Sequence, residues 1–305
     1  MALYQLYSKW NICDRDDRSV LQIQEIMKNI LVTGGAGFIG SHLCERLHKD
    51  GYNVTSLDNY FTGSIDNHID GVNYINAPTC DIRYAPIMRT PDIVYHLGEY
   101  SRVEQSFSDV RLVHEYNTKG TIEVLEYVRE VGAKLVYSGS STKFSDNGAG
   151  ASPYAFSKAK NTELVMNYGK WYDMPYAISY FYNVYGGREI KEGKYATLIA
   201  LFKDKIEKGE KLTVVSPGTQ KRNFTHIDDI IDALVLIGEH GEGDGYGIGS
   251  EESYSVLDVA KMLNGDIQML PERKGNRMTG DVITDKTKAL GWNTEKNLKD
   301  YINTL

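Results

Sequence analysis

Tyr154 and Lys158 stand four residues apart in Ser-Pro-Tyr-Ala-Phe-Ser-Lys. On a helix that spacing puts both side chains on one face, with the ammonium beside the phenol. A phenol titrates at about pH 10 in water and is a poor base at neutrality. A fixed cation next to it favours the phenolate and brings it toward the working range of a general base. In a chain with 22 tyrosines the spacing alone is weak. It gains meaning from a glycine-rich turn upstream and a serine cluster just before it.

Those residues need a frame. Residues 29–33 form a short apolar run ending in Gly34-Gly35-Ala36-Gly37-Phe38-Ile39-Gly40, after which Ile39, Leu43 and Leu47 recur at helical spacing. Strand, glycine turn and helix open a βαβ unit. Gly34, Gly37 and Gly40 are spaced three apart, and Gly35, Gly37 and Gly40 also satisfy the dinucleotide fingerprint. Glycine is needed where backbone turns tightly and approaches a pyrophosphate too closely for a Cβ. The helix behind it offers unpaired N–H groups and the positive end of its dipole.

A second run, residues 53–57, ends at Asp58, where a carboxylate that takes the adenosine ribose hydroxyls is expected. Such a carboxylate repels a 2′-phosphate, so NAD is expected over NADP. Asp58 in Leu-Asp-Asn-Tyr equally suits a turn. Asp81, in Cys80-Asp81-Ile82, is a candidate adenine contact.

Further apolar runs at residues 92–96, 133–138 and 176–182 alternate with helical stretches at 113–131 and from Pro153. This alternation predicts an α/β fold with a doubly wound parallel sheet. Beyond it lie helical patterns at 197–208, at 227–237 and from Val256, with strand patterns at 212–215 and 246–249. They are expected to form a smaller α/β substrate lobe (183–223 and 251–305), interleaved with late pieces of the sheet domain (27–182 and about 224–250). Residues 1–26 read as an extension: a mobile arm, an oligomer contact or an upstream start.

With 305 residues and a net charge of −7, the chain can bury a real core and lacks the basic balance of a nucleic-acid binder. Cys13, Cys44 and Cys80 show no metal or redox spacing and suit a reducing compartment. No apolar run spans a membrane. The expectation is a soluble cytoplasmic protein without a metal.

Val136-Tyr137-Ser138-Gly139-Ser140-Ser141-Thr142 sets hydroxyls at the carboxyl end of a strand, the ligand-facing edge of such sheets. They can hydrogen-bond a sugar oxygen and the Tyr154 phenol together. Together with these residues, several further segments resemble the extended short-chain dehydrogenase/reductases of the nucleotide-sugar epimerase and dehydratase group. The segments are Thr33 to Gly40, His96-Leu97-Gly98, Tyr154 to Lys158, Asn183-Val184-Tyr185-Gly186 and Arg222-Asn223-Phe224-Thr225-His226-Ile227-Asp228-Asp229. The resemblance runs from Met27 onward.

It implies a Rossmann sheet, NAD as cofactor, a nucleotide-diphosphate sugar as substrate and a homodimer paired through helices 113–131 and 153–171. It assigns catalysis to Ser140, Tyr154 and Lys158. The cofactor contacts it implies are Gly34, Gly37, Phe38, Ile39, Gly40, Asp58, Asn59, Asp81, Ile82 and Leu97, with Tyr154 and Lys158. Substrate contacts are Ser140, Tyr154, Asn183 and Arg222, whose planar fork suits phosphate. Arg273 and Arg277 both qualify as a second phosphate arginine, and either can equally be a solvated surface charge.

Departures from the pattern narrow the reaction. Dehydratases of this group follow the catalytic hydroxyl with Asp-Glu, and decarboxylases keep a glutamate; here Ser141 and Thr142 follow Ser140. Lys143-Phe144 replaces Val-Tyr, and Glu99-Tyr100 replaces a stretch of small residues near the cofactor. Reversible hydride transfer at a carbinol, as in a UDP-hexose 4-epimerase working through a 4-keto intermediate, needs no further acid. A keto-sugar reductase on the same scaffold and a catalytically silent NAD-binding sensor are the alternatives.

Overall fold

A computed structural model describes residues 27–141, 148–272 and 282–305. The expectations placed on residues 1–26, on Thr142, Lys143 and Phe144, and on Arg273 and Arg277 lie outside the described residues.

Apolar runs become strands where both faces can be covered. Seven do so: β1 (Asn29–Thr33), β2 (Asn53–Asp58), β3 (Asn73–Asn76), β4 (Ile93–His96), β5 (Lys134–Ser140), β6 (Tyr176–Phe181) and β7 (Gly243–Ile248). All pair parallel, in the order β7-β6-β5-β4-β1-β2-β3. Parallel sheets need covering on both sides, which explains the near-continuous apolar sequence of β1, β4 and β5. Helices α1 (Phe38–Lys49) and α4 (Ile227–His240) pack on one face around Val32, Leu43, Tyr95 and Leu234. Helices α2 (Gly120–Val131) and α3 (Pro153–Tyr172) cover the other around Leu31, Val94, Leu125 and Val165. The strand order reverses between β1 and β4, so a crevice opens at their carboxyl ends.

A third core, around Phe202, Leu212, Val214, Val259 and Leu298, belongs to a smaller lobe. It contains a parallel pair, Leu212–Val215 with Ile267–Leu270, and the helices Leu198–Glu207 and Val256–Met262. The C-terminal stretch then crosses back to the main sheet. Thr287 Oγ1 donates to Gly247 O on β7 at 2.7 Å, and Trp292 Nε1 donates to Asp229 O at 2.8 Å. This part of 251–305, expected in the lobe, packs on the sheet instead.

Two elements depart from the sequence expectation. Strand β3 (Asn-Tyr-Ile-Asn) buries only Ile75, being the sheet edge, and so carries no apolar signature. The helix expected over 113–131 starts as a short turn, Val110–Val113, and runs through a π-turn, His114–Lys119, into α2.

The start of α3 follows directly from Ser-Pro. Ser152 Oγ accepts the Ala155 amide at 3.0 Å, and Pro153 occupies the first helical position, where its missing N–H costs nothing. That cap fixes Tyr154 in the first turn and Lys158 one turn later. Ser152→Ala is expected to lower the unfolding free energy by about 1 kcal/mol in urea denaturation.

Candidate active site

The crevice is a cavity of about 770 Å³ reaching from the glycine turn to the smaller lobe. It gathers Gly34, Gly37, Phe38, Ile39, Gly40, Asp58, Asn59, Leu97, Ser140, Tyr154, Lys158, Asn183 and Arg222 along one continuous wall. Asp81 and Ile82 are not on it. They lie on a 3₁₀ turn, Thr79–Tyr84, which leaves Asp81 exposed and sinks Ile82 into the core. Ala77 and Thr79 form the wall there instead.

At one end the backbone itself makes the site. Gly34 has φ +74°, and a Cβ on it would lie 2.9 Å from the Gly98 backbone. A Cβ on Gly40 would meet Gly34 O at 2.1 Å, so α1 lies directly on its own turn. Gly37 caps α1 without a side-chain hydrogen bond, which leaves the first-turn amides beside the cleft for an anion. Asp58 closes the far side of this cradle. Its Oδ2 accepts the Ala36 amide at 2.9 Å and its Oδ1 the Tyr60 amide at 2.8 Å. Burial pushes its carboxyl up, and the two amides oppose that shift. A close glycine cradle with a carboxylate at the end of β2 fits a dinucleotide with free ribose hydroxyls.

At the cleft centre Lys158 is buried on α3. Its ammonium donates to Ser138 O on β5 and to Glu99 Oε2, and stands 4.5 Å from the Tyr137 ring centroid. The side chains of Lys158 and Glu99 are 5% and 3% exposed, a buried ion pair. Glu99 Oε1 accepts three further hydrogen bonds, from Thr121 Oγ1 and Tyr137 OH at 3.1 Å each and from Asn161 Nδ2 at 2.9 Å. Thr121 Oγ1 also meets His96 Nε2 at 3.1 Å, and His96 Nδ1 meets Thr33 Oγ1 at 2.8 Å. Burial drives the His96 imidazole down to about 4, so it is neutral.

The π-turn has a function in this packing. It presents Asn117 to the loop after β4, where Oδ1 accepts the Tyr100 amide at 2.6 Å and Nδ2 donates to Tyr100 O at 3.1 Å. The loop carrying Glu99 is thereby held from both sides.

Residues 188–197 run along the cleft as a strap, with Glu189, Ile190, Ala196 and Thr197 lining it. Tyr195 packs against Phe61 and Tyr100, with ring centroids 5.3 and 6.1 Å away. Its OH donates to Asp109 at 2.8 Å, and its carbonyl accepts Arg102 Nε and Nη2 at 2.9 and 2.6 Å. Lys194 pairs with Asp109 at 2.9 Å and, with the Tyr195 and Tyr100 phenols, holds that carboxyl well below its usual range. Burial pushes the Arg102 guanidinium down, and the nearby Tyr154, Tyr100 and Glu189 oppose that shift. Glu99 had a visible signal, a carboxylate where small residues are expected, three positions past the end of β4. Arg102, Asn117 and Tyr195 had none.

The model of the NAD dependent epimerase/dehydratase family matches residues 30–249. A Methanocaldococcus jannaschii protein provisionally named a UDP-glucose 4-epimerase is 31% identical over 90% of this chain and 95% of its own length. UDP-glucuronic acid decarboxylase 4 of Arabidopsis thaliana is 29% identical over 92% of this chain and 68% of its own. The crystal structure of the Thermus thermophilus UDP-glucose 4-epimerase in complex with NAD superposes with a TM-score of 0.82 at 28% identity, covering 90% of this chain and 96% of that one.

The neutral His96 gives a pH prediction. Its folded-state value of about 4 lies below the ordinary 6.5, so the folded state binds fewer protons than the unfolded state between them. Its contribution to stability is complete above the upper value and is lost as pH falls through the window. Urea titrations across that window should show the wild-type advantage over His96→Asn shrinking by about 3 kcal/mol.

Proposed function

The chain belongs to the NAD dependent epimerase/dehydratase family, with NAD as its cofactor, and on that premise we propose that it inverts C4 of a nucleotide-diphosphate sugar. The observation that carries this reading is the composition of the wall beside Ser140. Ser140, Tyr154 and Lys158 share one cavity with the dinucleotide cradle, and the positions after Ser140 are Ser141 and Thr142. Elimination of water needs an acid to protonate the leaving hydroxyl. Among the described residues, two carboxylates of the cavity wall are committed elsewhere: Glu99 to Lys158, and Glu189 to the Gly186 amide at 3.0 Å and the Thr197 hydroxyl at 2.6 Å.

Bound NAD supplies the hydride acceptor and donor. Tyr154 as phenolate takes the proton of the 4-hydroxyl as C4 gives up hydride, and gives that proton back to the 4-oxygen when hydride returns to the other face of C4. Ser140 donates to the sugar oxygen and fixes its direction. Lys158 holds the charge behind Tyr154. Arg222 and Asn183, from the lobe side of the cavity, hold the diphosphate and leave the sugar room to turn. A UDP-hexose is the leading substrate, on the names of the relatives.

The outer faces of α2 and α3 expose Ile122, Phe156 and Met166, with Phe107 and Val110 beside them. A second copy of the chain covers this face in the proposed homodimer.

Two outcomes check the proposal. Purified protein incubated with UDP-, GDP- and dTDP-sugars should invert C4 of one of them by NMR, and Tyr154→Phe should lower kcat about a thousandfold at unchanged NAD content. Unchanged turnover in that variant sinks the mechanism. Phe156→Asp should convert the dimer to a monomer in analytical ultracentrifugation, with the circular dichroism spectrum retained.

A further inference from the structure

An ammonium has three hydrogens to give. On Lys158 two are taken, by Ser138 O and by Glu99 Oε2. The carboxylate on the other side is equally occupied, since Tyr137, Thr121 and Asn161 all donate to its second oxygen. With both side chains nearly sealed from water, solvent does little to screen either charge.

We propose that Glu99 is the charge-setting, positioning residue of the Tyr154–Lys158 pair: it cancels the Lys158 cation and turns the remaining ammonium hydrogen to the cleft. This rests on the reading of Tyr154 as acid and base. Tyr154 must pass through both protonation states in each turnover. A lone buried ammonium stabilises the phenolate strongly and leaves a weak base for the proton-abstracting step. An ion pair of zero net charge brings the two states closer in free energy, which is the condition for efficient transfer in both directions.

The other ionisable groups around the pair leave this role to Glu99. His96 on β4 is neutral, and Tyr137 on β5 donates to Glu99 itself. Arg102, on the loop after β4, adds a cation on the cleft side of Tyr154, with Glu189 as its own acidic neighbour. Glu99 is the carboxylate in direct contact with Lys158 among the described residues.

The test needs no sugar, so it stands or falls separately from the epimerase reading. Ultraviolet difference titration of the isolated protein against its Tyr154→Phe counterpart isolates the Tyr154 phenolate band. Glu99→Gln, which keeps the shape and removes the charge, should move the midpoint to lower pH by about one unit. Glu99→Asp, which keeps the charge, should leave it close to the wild type. An unmoved midpoint in Glu99→Gln, with only a lowered Tm, overturns the proposal, as does an equal shift in Glu99→Asp. If Glu99→Gln is insoluble, Tyr137→Phe removes one donor from the carboxylate. With its charge less compensated, the carboxylate should then move the midpoint the opposite way, to higher pH, and no shift there overturns the proposal too.

Discussion

Two opposite charges set side by side out of water, on Lys158 and Glu99, dictate how the centre of this molecule is built. Desolvating an ion pair costs more than the attraction returns unless the remaining donors and acceptors are satisfied. The surrounding elements each supply a partner: Ser138 and Tyr137 from β5, Thr121 from α2, Asn161 and the lysine itself from α3. The π-turn holds the loop that brings the carboxylate in. Small displacements of any of these elements would leave a charge unpaired, so the pair enforces their mutual register. The neutral His96 extends the same network to β1 and the glycine turn.

The sheet topology explains why such a costly arrangement sits where it does. Reversal of strand order between β1 and β4 opens the only kind of gap a doubly wound sheet offers to a ligand. The β1–β2 side of the gap furnishes backbone amides and Asp58, groups that recognise charge and hydroxyls. The β4–β5 side furnishes Ser140 and the ion pair, the groups to which the proposed reaction gives proton transfer. Recognition and chemistry are thus divided between the two halves of one sheet, with the smaller lobe closing the third side.

What could be read from the chain alone follows the range of the interactions involved. The glycine turn, Asp58 and the Ser-Pro start of α3 are encoded within a few residues, and their local spacing carries the signal. Strand β3 was invisible because an edge strand with one buried residue has no apolar pattern. Asp81 and Ile82 sit on a 3₁₀ turn that the local sequence does not announce, and their expected contact with the cofactor stays a proposal. Glu99 could be seen as an oddity but not as a partner. Its four donors come from positions 121, 137, 158 and 161, and only the folded chain brings them within reach.

The strap formed by residues 188–197 has a consequence for how the molecule handles electrons. It is pinned at Asp109 by Lys194 and Tyr195 and at its Tyr195 carbonyl by Arg102. A dinucleotide held beneath it would leave only after these ties open together. It would then behave as a fixed organ of the protein, with a redox state belonging to each individual molecule. Under the proposed epimerase reading, a keto sugar that escaped before its hydride was returned would strand that molecule in the reduced state. Retention of the intermediate, more than speed at any one step, would then decide how many turnovers a single copy completes.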